Sequence, residues 1–459
     1  MKRFIMLALV AAFLLSSVCS ASAADIKASG SWGFNALWMD KDLTKDSGDK
    51  AMDIQQRIRT TFEFVANENL KGVMEVEANT ATWGQGTSAY SVRDALNLRQ
   101  GYLDFNYPGT DVNVKVGKMI VTLPHAVGGS PIIGGNPANA AQISAPINDM
   151  FSAVAGYSRL LQSATVQEQF ADLYYVAAPV TLDGVSFTPY FGYANIGDHM
   201  NNAAPGAAYA AVNALLGAGA SSAGVGVADV DPSLSSFWIG TTFEMNMFDP
   251  FVVKADVTYG QTSADTEALE TAGWFSDIAL EYTGLDYMTP EMFLVYSTGL
   301  DDETYSTESG ERMPIVNNDG GVGSFFFGGS AFMSGDCYGN SQIGYWAVGG
   351  SLKDIQFIEK LTHTFHLLYA EGTNDADAKN GAGASMYLAA SRGNNIEFGR
   401  TLTDKDSIWE VDFNTSYALY DELTAILELG YVASDLDESV WGQDDEDAYK
   451  LGLGLQYSF

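Results

Sequence analysis

The stretch from Ala448 to Phe459 limits most strongly what this chain can fold into. It reads Ala-Tyr-Lys-Leu-Gly-Leu-Gly-Leu-Gln-Tyr-Ser-Phe, with a large apolar residue at every odd position and a small or polar one at every even position. Such alternation puts the two kinds of residue on opposite faces of a β-strand. At about 3.3 Å per residue and a tilt near ~40°, the strand would span roughly 30 Å, the hydrocarbon thickness of a bilayer. An apolar face bounded by aromatic residues predicts a transmembrane barrel strand, and the closing strand of a soluble β-sandwich is the alternative.

Alternation of the same kind recurs through most of the chain. In an early predicted strand, Phe62 and Phe64 lie on one face, while Arg57, Arg59 and Glu63 lie on the other. Charged side chains at alternate positions are rare inside a soluble sandwich, whereas the water-filled lumen of a barrel accepts them. These strands therefore favour a barrel with apolar groups outside and water inside.

One arginine breaks the pattern in the predicted hairpin that begins at Leu96. The phase set by Leu103 and Phe105 would turn Arg99 toward lipid. That orientation costs about 2–4 kcal/mol at mid-membrane and less near the interface. We therefore expect a β-bulge at Arg99, or a position above the apolar band.

The connections between predicted strands alternate in length. Short turns, such as residues 67–71 and 418–422, alternate with long loops, such as residues 196–234 and 300–341. Short turns at one rim and long loops at the other are typical of outer-membrane barrels. If both chain ends meet at the short-turn rim, the number of strands must be even. Counting the weakly alternating range Ala153–Ala164 as a strand would make the number odd, so we assign this range to a long third loop, residues 118–166. The predicted fold is all-β: a transmembrane antiparallel β-barrel of about 16 strands, a size that keeps an aqueous channel.

The amino terminus has the pattern of a secretory signal peptide. Met1-Lys2-Arg3 precedes an apolar run and the small residues Ala21-Ser22-Ala23-Ala24, so we predict a signal peptide over residues 1–24. Residues 25–459 then form a single barrel domain. The whole chain has 23 Lys and Arg against 57 Asp and Glu, a formal net charge of −34. This strongly acidic balance argues against a nucleic-acid partner.

The sequence carries no motif for catalysis or for a cofactor. It has no Gly-x-Ser-x-Gly elbow, no cysteine pair after the signal peptide and no cluster with metal-ligand spacing. We therefore expect neither an enzyme nor a bound cofactor or metal. Two acidic runs, Asp301-Asp302-Glu303 and Asp444-Asp445-Glu446-Asp447, are interpreted as solvated loop faces, with weak Ca²⁺ or Mg²⁺ binding as the alternative.

Several local motifs together resemble the general porins of Gram-negative outer membranes, most closely the homotrimeric porins of sulfate-reducing bacteria. The motifs are the terminal Tyr457-Ser458-Phe459, the run Leu98-Arg99-Gln100-Gly101-Tyr102, the run Val114-Lys115-Val116-Gly117-Lys118, and the stretches Gly135-Asn136-Pro137 and Asn148-Asp149-Met150-Phe151. The resemblance implies that the third loop folds into the lumen, where a basic wall faces acids on the loop. By position, the wall corresponds to Arg57, Arg59, Arg99, Lys115 and Lys118, and the clearest loop acid is Asp149. The shared inward face of Arg57, Arg59 and Glu63 itself indicates a lumen feature, and a structural ladder that holds the third loop is the alternative.

The resemblance also implies partners and a location. Tyr457 and Phe459 match the terminal signal that the outer-membrane assembly machinery reads. The second loop, near residues 84–93, would clasp a neighbour in a homotrimer surrounded by outer-membrane lipid and lipopolysaccharide. The implied function is passive diffusion of small hydrophilic solutes and ions.

Three other functions stay open at this point. They are a substrate-selective channel for sugars or organic acids, a surface adhesin, and a membrane-embedded hydrolase, which would need a serine and a histidine on neighbouring inward positions. Because the predicted inward acids outnumber the inward bases, we expect a modest preference for cations, and basic residues at the narrowest point would oppose it.

Overall fold

The chain forms a ring of antiparallel β-strands. The computed structural model describes residues 25–40, 52–83, 96–135, 137–162, 170–196, 234–264, 270–300, 310–316, 344–377, 402–441 and 445–459. The strands are β1 (Asp25–Asp40), β2 (Asp53–Asn67), β3 (Leu70–Thr82), β4 (Leu96–Asn106), β5 (Asn113–Ile120), β6 (Pro137–Pro146), β7 (Ser152–Gln162), β8 (Phe170–Ala177), β9 (Val180–Leu182), β10 (Val185–Ile196), β11 (Leu234–Phe248), β12 (Phe251–Ser263), β13 (Thr271–Tyr282), β14 (Thr289–Ser297), β15 (Tyr345–Ile358), β16 (Leu361–Gly372), β17 (Ser407–Ala418), β18 (Leu423–Asp435) and β19 (Ala448–Ser458). One short helix, α1 (Glu438–Trp441), precedes β19. Across these ranges, no helix is both long and apolar enough to cross a membrane.

The ring closes between the first and last strands. β1 pairs with β19 over ten residues on one side and with β2 on the other, so neither strand is left with a free edge. At the short-turn rim, the backbone N–H of Gly30 donates to the carbonyl of Phe459 at 2.9 Å. The ring of Phe459 lies 5.7 Å from that of Trp32 and 5.2 Å from that of Tyr457. The two predicted assembly-signal residues thus stand at the barrel's seam.

The barrel has 18 crossing strands, so the prediction of about 16 was wrong. β8 and β9 both pair with β10 and form one interrupted crossing. The two additional strands, β6 and β7, lie inside the range that was predicted as a loop over residues 118–166. Both are rich in Ala, Gly and Ser, so their two faces differ little in hydrophobicity and the alternation is weak. Adding two strands keeps the number even, which is why parity alone did not expose the error.

The outer wall is apolar and carries aromatic side chains near both rims. Leu451, Leu453 and Leu455 of β19 all face outward and are exposed. Exposed aromatic residues toward the long-loop rim include Tyr174, Tyr193, Trp274, Tyr296, Trp409, Tyr431 and Tyr449, and those toward the short-turn rim include Tyr107, Phe248, Phe251, Phe357, Tyr420 and Tyr457. Aromatic belts of this kind lie at the two interfaces of a membrane.

Much of the lumen near the long-loop rim is filled by apolar side chains. Trp238, Phe275 and Tyr345 point inward from the wall and are fully buried. They share one core with residues of two inward-folded segments, including Leu123, Ile132, Met313 and Ile315. The indole N–H of Trp238 donates to the carbonyl of Pro314 at 2.7 Å. Wall residues of this core extend around the barrel from Met119 of β5 to Ala448 of β19.

Some sequence predictions fall on residues outside the described ranges. They are the signal peptide over residues 1–24, the clasping loop near residues 84–93, the acidic run Asp301-Asp302-Glu303, and Asp444 of the second acidic run. The remaining residues of that second run, Asp445, Glu446 and Asp447, are exposed.

Candidate channel constriction

A ladder of arginines and glutamates lines the inner wall of β2–β4. The guanidinium Nε of Arg59 is hydrogen-bonded to a carboxylate oxygen of Glu77. Arg99 lies between two acids, with its Nη1 2.8 Å from Glu75 and its Nε 3.5 Å from Glu77. Arg57 is on the same face of β2, one step nearer the long-loop rim than Arg59. We call Arg57, Arg59, Arg99, Glu75 and Glu77 the arginine ladder.

The predicted bulge at Arg99 is confirmed. The pairing of β3 with β4 passes from Glu75 opposite Gln100 to Val76 opposite Leu98, which leaves Arg99 as the extra residue. The bulge turns the Arg99 side chain into the lumen, although strict alternation would have turned it toward lipid. The side-chain amide of Gln100 also donates to Glu75, so two consecutive residues reach the same carboxylate.

The other side of the constriction is an inward loop, residues 121–135, between β5 and β6. Its tip is held by Asp256 on the opposite wall, which accepts hydrogen bonds from the backbone N–H of Ala126, at 2.9 and 2.8 Å, and of Val127, at 2.8 Å. Its far end is bound to the ladder, since Nη2 of Arg99 donates to the Gly135 carbonyl at 2.9 Å. The loop thus crosses the lumen, as the resemblance implied, but over a shorter range than residues 118–166.

The inward loop supplies no acid to face the basic wall. Residues 121–135 contain no Asp, Glu, Lys or Arg, and their one ionisable side chain is His125. The carboxylates that balance the arginines come instead from the neighbouring strand β3, through Glu75 and Glu77. Because the charges alternate along one wall, the field across the constriction is weaker than two facing rows would produce.

The structure separates the predicted site residues into three places. Glu63 lies in the lumen, paired with Lys71 at 2.6 Å, and Lys115 faces the lumen from β5. Lys118 is on the outward face with Val116, so its prediction as a lumen residue was wrong. Asp149 was also wrong as a loop acid, because it is an exposed residue of the short turn between β6 and β7.

Most of the acids that were expected to line the lumen are buried within it. Each lies on the inner face of a strand and is covered by neighbouring side chains and loops; these residues are Glu75 of the arginine ladder and Asp256, Asp277, Glu281, Glu410, Asp412 and Glu428 of β12–β18. Partly exposed inward charges are most numerous on β2–β5, where Arg57, Arg59, Glu63 and Lys115 lie. A smaller group on β12–β15 pairs Lys254 and Lys353 with acids of β13 and β14. A cavity of about 370 Å³ at the short-turn rim is lined by residues of this same side, including Glu63, Lys71 and Asp104. The largest group of partly exposed charges in the described lumen therefore lies along β2–β5.

The serine–histidine pair that a hydrolase would need is present. The Ser351 hydroxyl and His366 Nδ1 are 2.6 Å apart, and Asp412 is opposite His366 on the next strand. The sequence did not reveal this pair, because the pairing register between β15 and β16 was not predicted. A nucleophile must reach its substrate, however, and Ser351 is only 3% exposed. Within the described ranges, no three His, Cys, Asp or Glu side chains are arranged to hold a metal ion.

Several solved structures share this fold, and one of them is an outer-membrane protein. OprD of Pseudomonas aeruginosa aligns with a TM-score of 0.52 at 12% identity, covering 96% of each chain. OccAB3 of Acinetobacter baumannii aligns with a TM-score of 0.53 at 12% identity, covering 94% of this chain and 99% of its own. OccK8 (OprE) of Pseudomonas aeruginosa aligns with a TM-score of 0.51 at 14% identity, covering 95% and 98%. No protein-family model and no curated protein matches the sequence. The likenesses support the fold of an outer-membrane porin, and not the narrower resemblance to trimeric porins of sulfate-reducing bacteria.

Proposed function

We propose that the chain forms a water-filled channel in the outer membrane of a Gram-negative bacterium and lets small hydrophilic solutes and ions diffuse through it. The observation that carries the proposal is a closed barrel with an apolar outer wall and a partly open lumen lined by charged side chains along β2–β5. Barrels of 16–18 strands are wide enough for an aqueous path. The inward loop and the arginine ladder would set its narrowest point.

Conductance of the purified protein in a planar bilayer tests this proposal. Each insertion of folded protein should raise the ionic current by a discrete step, and the size of the step should increase with salt concentration. A heat-denatured sample is the control. Folded barrels that insert but carry no current would contradict the proposal.

A substrate-selective channel is the second candidate, and one observation favours it. The apolar core around Trp238 and Phe275 fills much of the lumen near the long-loop rim, and the remaining space is bounded by ordered ion pairs such as Arg99 with Glu75. Such a path can orient a polar solute as well as exclude solutes that are too large. Liposome-swelling rates for neutral sugars and organic acids of matched size would distinguish the two, because a general pore ranks solutes by size alone.

The preference for cations stays a prediction, with weaker support than the sequence provided. Six inward acids of β12–β18 are buried, and along β2–β5 the charges nearly balance. The formal net charge of −34 still favours cations at the mouths, within a Debye length of about 8–10 Å. Arg59→Ala should raise cation preference, and Glu63→Gln should lower it. Reversal potentials in a salt gradient measure both, and shifts of the same sign would contradict this reasoning.

We also propose a homotrimer, in a membrane whose lipids include lipopolysaccharide, and assembly that depends on the terminal strand. The outward residues of β3, namely Met74, Val76 and Ala78, form an apolar strip suited to contact with another barrel. Unheated detergent gels should show a heat-sensitive trimer. Migration as a monomer at every concentration would count against it.

A further inference from the structure

A row of tyrosines marks the membrane interface on the outer wall of β7, β8 and β10. Tyr157 is opposite Tyr174, and Tyr174 is opposite Tyr193, so the three side chains face outward at one height. The rings of Tyr157 and Tyr174 are 5.3 Å apart, and 47% of Tyr174 is exposed. Outward aromatic rings of barrels lie at headgroup level. This row therefore marks one edge of the hydrocarbon layer.

The next outward position toward the long loops is polar on five neighbouring strands. The residues are consecutive register partners, and we call them the polar row: Lys118, Asn139, Arg159, Asp172 and Asn195. Each lies within four residues of the long-loop end of its strand. Because the row is one step beyond the tyrosines, it lies in the headgroup layer of the leaflet nearer the long loops.

The polar row holds a net positive charge. Arg159 makes two parallel bonds to Asp172, Nε to Oδ1 and Nη2 to Oδ2, both at 2.7 Å, and Tyr157 donates to the same carboxylate at 2.9 Å. Nζ of Lys118 donates to the Leu98 carbonyl at 2.8 Å. Lys118 thus adds a positive charge that no acid of the row neutralises.

On the strands that the structure describes, outward-facing basic side chains are confined to this row. On the described strands, Lys118 and Arg159 are the two Lys or Arg residues in the outward phase. Lipid-facing cations are costly at the bilayer centre and nearly free at the interface. Their Cα atoms are two strand spacings apart, about 10 Å. Lys118 keeps two N–H groups beyond its bond to the Leu98 carbonyl. Arg159 also donates from Nη1 to the side-chain oxygen of Gln162, so two of its five N–H groups remain.

We propose that the polar row binds the phosphate groups of lipopolysaccharide, the anionic lipid of the outer leaflet. Lys118 and Arg159 would each donate to phosphate oxygens, and the amide of Asn139 between them can add a neutral hydrogen bond. Asp172 orients the guanidinium and keeps it on the outer wall. The inference rests on the proposed outer-membrane location with the long loops outside, and it does not depend on what passes through the channel.

The test compares lipopolysaccharide retained by purified barrels. The single variant is Lys118→Gln. The triple variant adds Arg159→Met and Asp172→Asn, so that both members of the Arg159–Asp172 ion pair are removed together. Lys360→Gln is the matched control, because Lys360 is in a turn at the opposite rim. Protein is extracted in mild detergent with a chelator, and bound lipid is counted by native mass spectrometry, with conductance recorded in parallel.

Wild type and the Lys360 variant should retain lipopolysaccharide, the single variant several-fold less, and the triple variant about none. Retention should fall with salt, and phosphatidylglycerol or inorganic phosphate at equal concentration should not displace lipopolysaccharide from the wild-type barrel. Equal retention by wild type and the folded Lys118→Gln barrel would overturn the proposal, as would displacement by inorganic phosphate alone. A loss of retained lipopolysaccharide in the Lys360 variant alone would overturn the proposed orientation of the barrel, in which the long loops are outside. Conductance should be unaffected throughout, so failure of the channel proposal would be visible separately.

Discussion

One carboxylate anchors the tip of the inward loop, and replacing it should release the tip while the apolar residues on either side stay in the lumen core. Two backbone N–H groups, of Ala126 and Val127, donate to Asp256 at 2.8–2.9 Å. Hydrogen bonds to a charged acceptor contribute about 1.5–3 kcal/mol each, so two contribute about 3–6 kcal/mol. We take the lower end, because Asp277 is directly opposite Asp256 and removing one of two adjacent acids relieves repulsion. A loss of about 3 kcal/mol raises the detached fraction of the tip about 150-fold.

The assay is single-channel recording of Asp256→Ala in a planar bilayer. The variant should show larger mean conductance and more flicker than wild type, while the far end of the loop stays bound through Arg99 and Gly135. Asp256→Asn should fall between the two, since a neutral amide oxygen accepts weaker bonds. Glu244→Gln is the control, an inward acid on the neighbouring strand that is opposite Lys254. A folded Asp256→Ala channel with wild-type conductance and noise would refute the reasoning.

Three other changes follow from packing seen in the barrel. Deleting Phe459 removes contacts at the seam, so less protein should reach the outer membrane, as measured by immunoblots of membrane fractions; wild-type levels would contradict this. A Cβ at Gly156 would lie 2.1 Å from the Tyr175 ring, so Gly156→Ala should cost about 1–3 kcal/mol and lower the temperature of the gel-mobility shift, whereas Gly72→Ala, with 4.0 Å of clearance, should not. Trp238→Ala should open a cavity in the lumen core, at a cost of about 3–5 kcal/mol, and raise conductance; an unchanged conductance with normal folding would show that the core does not border the path.

Elements with strongly different faces could be predicted from the sequence. β19 is an example, because leucines and glycines alternate along it and only one arrangement suits a membrane wall. β6 and β7 could not be predicted in the same way, because Ala and Ser are tolerated on both faces and the alternation is weak. The strand count was therefore low by two, while the class of fold was right.

The candidate site was partly predictable for a similar reason. Arg57, Arg59, Glu63 and Lys115 follow the inward phase of regular strands, so the lumen is where their positions put them. Asp256 as the anchor of the inward loop could not be found, because the two are 130 residues apart and depend on how the loop crosses the lumen. Hydrogen bonds at such separation leave no periodic signal in the sequence.

The bulge at Arg99 means that the number of residues in a strand, as well as their identity, decides which charged side chains face the lumen. One extra residue in β4 moves a guanidinium from the lipid side of a wall to its water side, while Leu98 and Gln100 on either side keep their partners. Removing that residue would leave a continuous strand and an intact ring, yet Glu75 and Glu77 would lose their shared cation. Single-residue insertions and deletions in such strands are thus a route by which related barrels can exchange their electrostatic lining without rebuilding the wall.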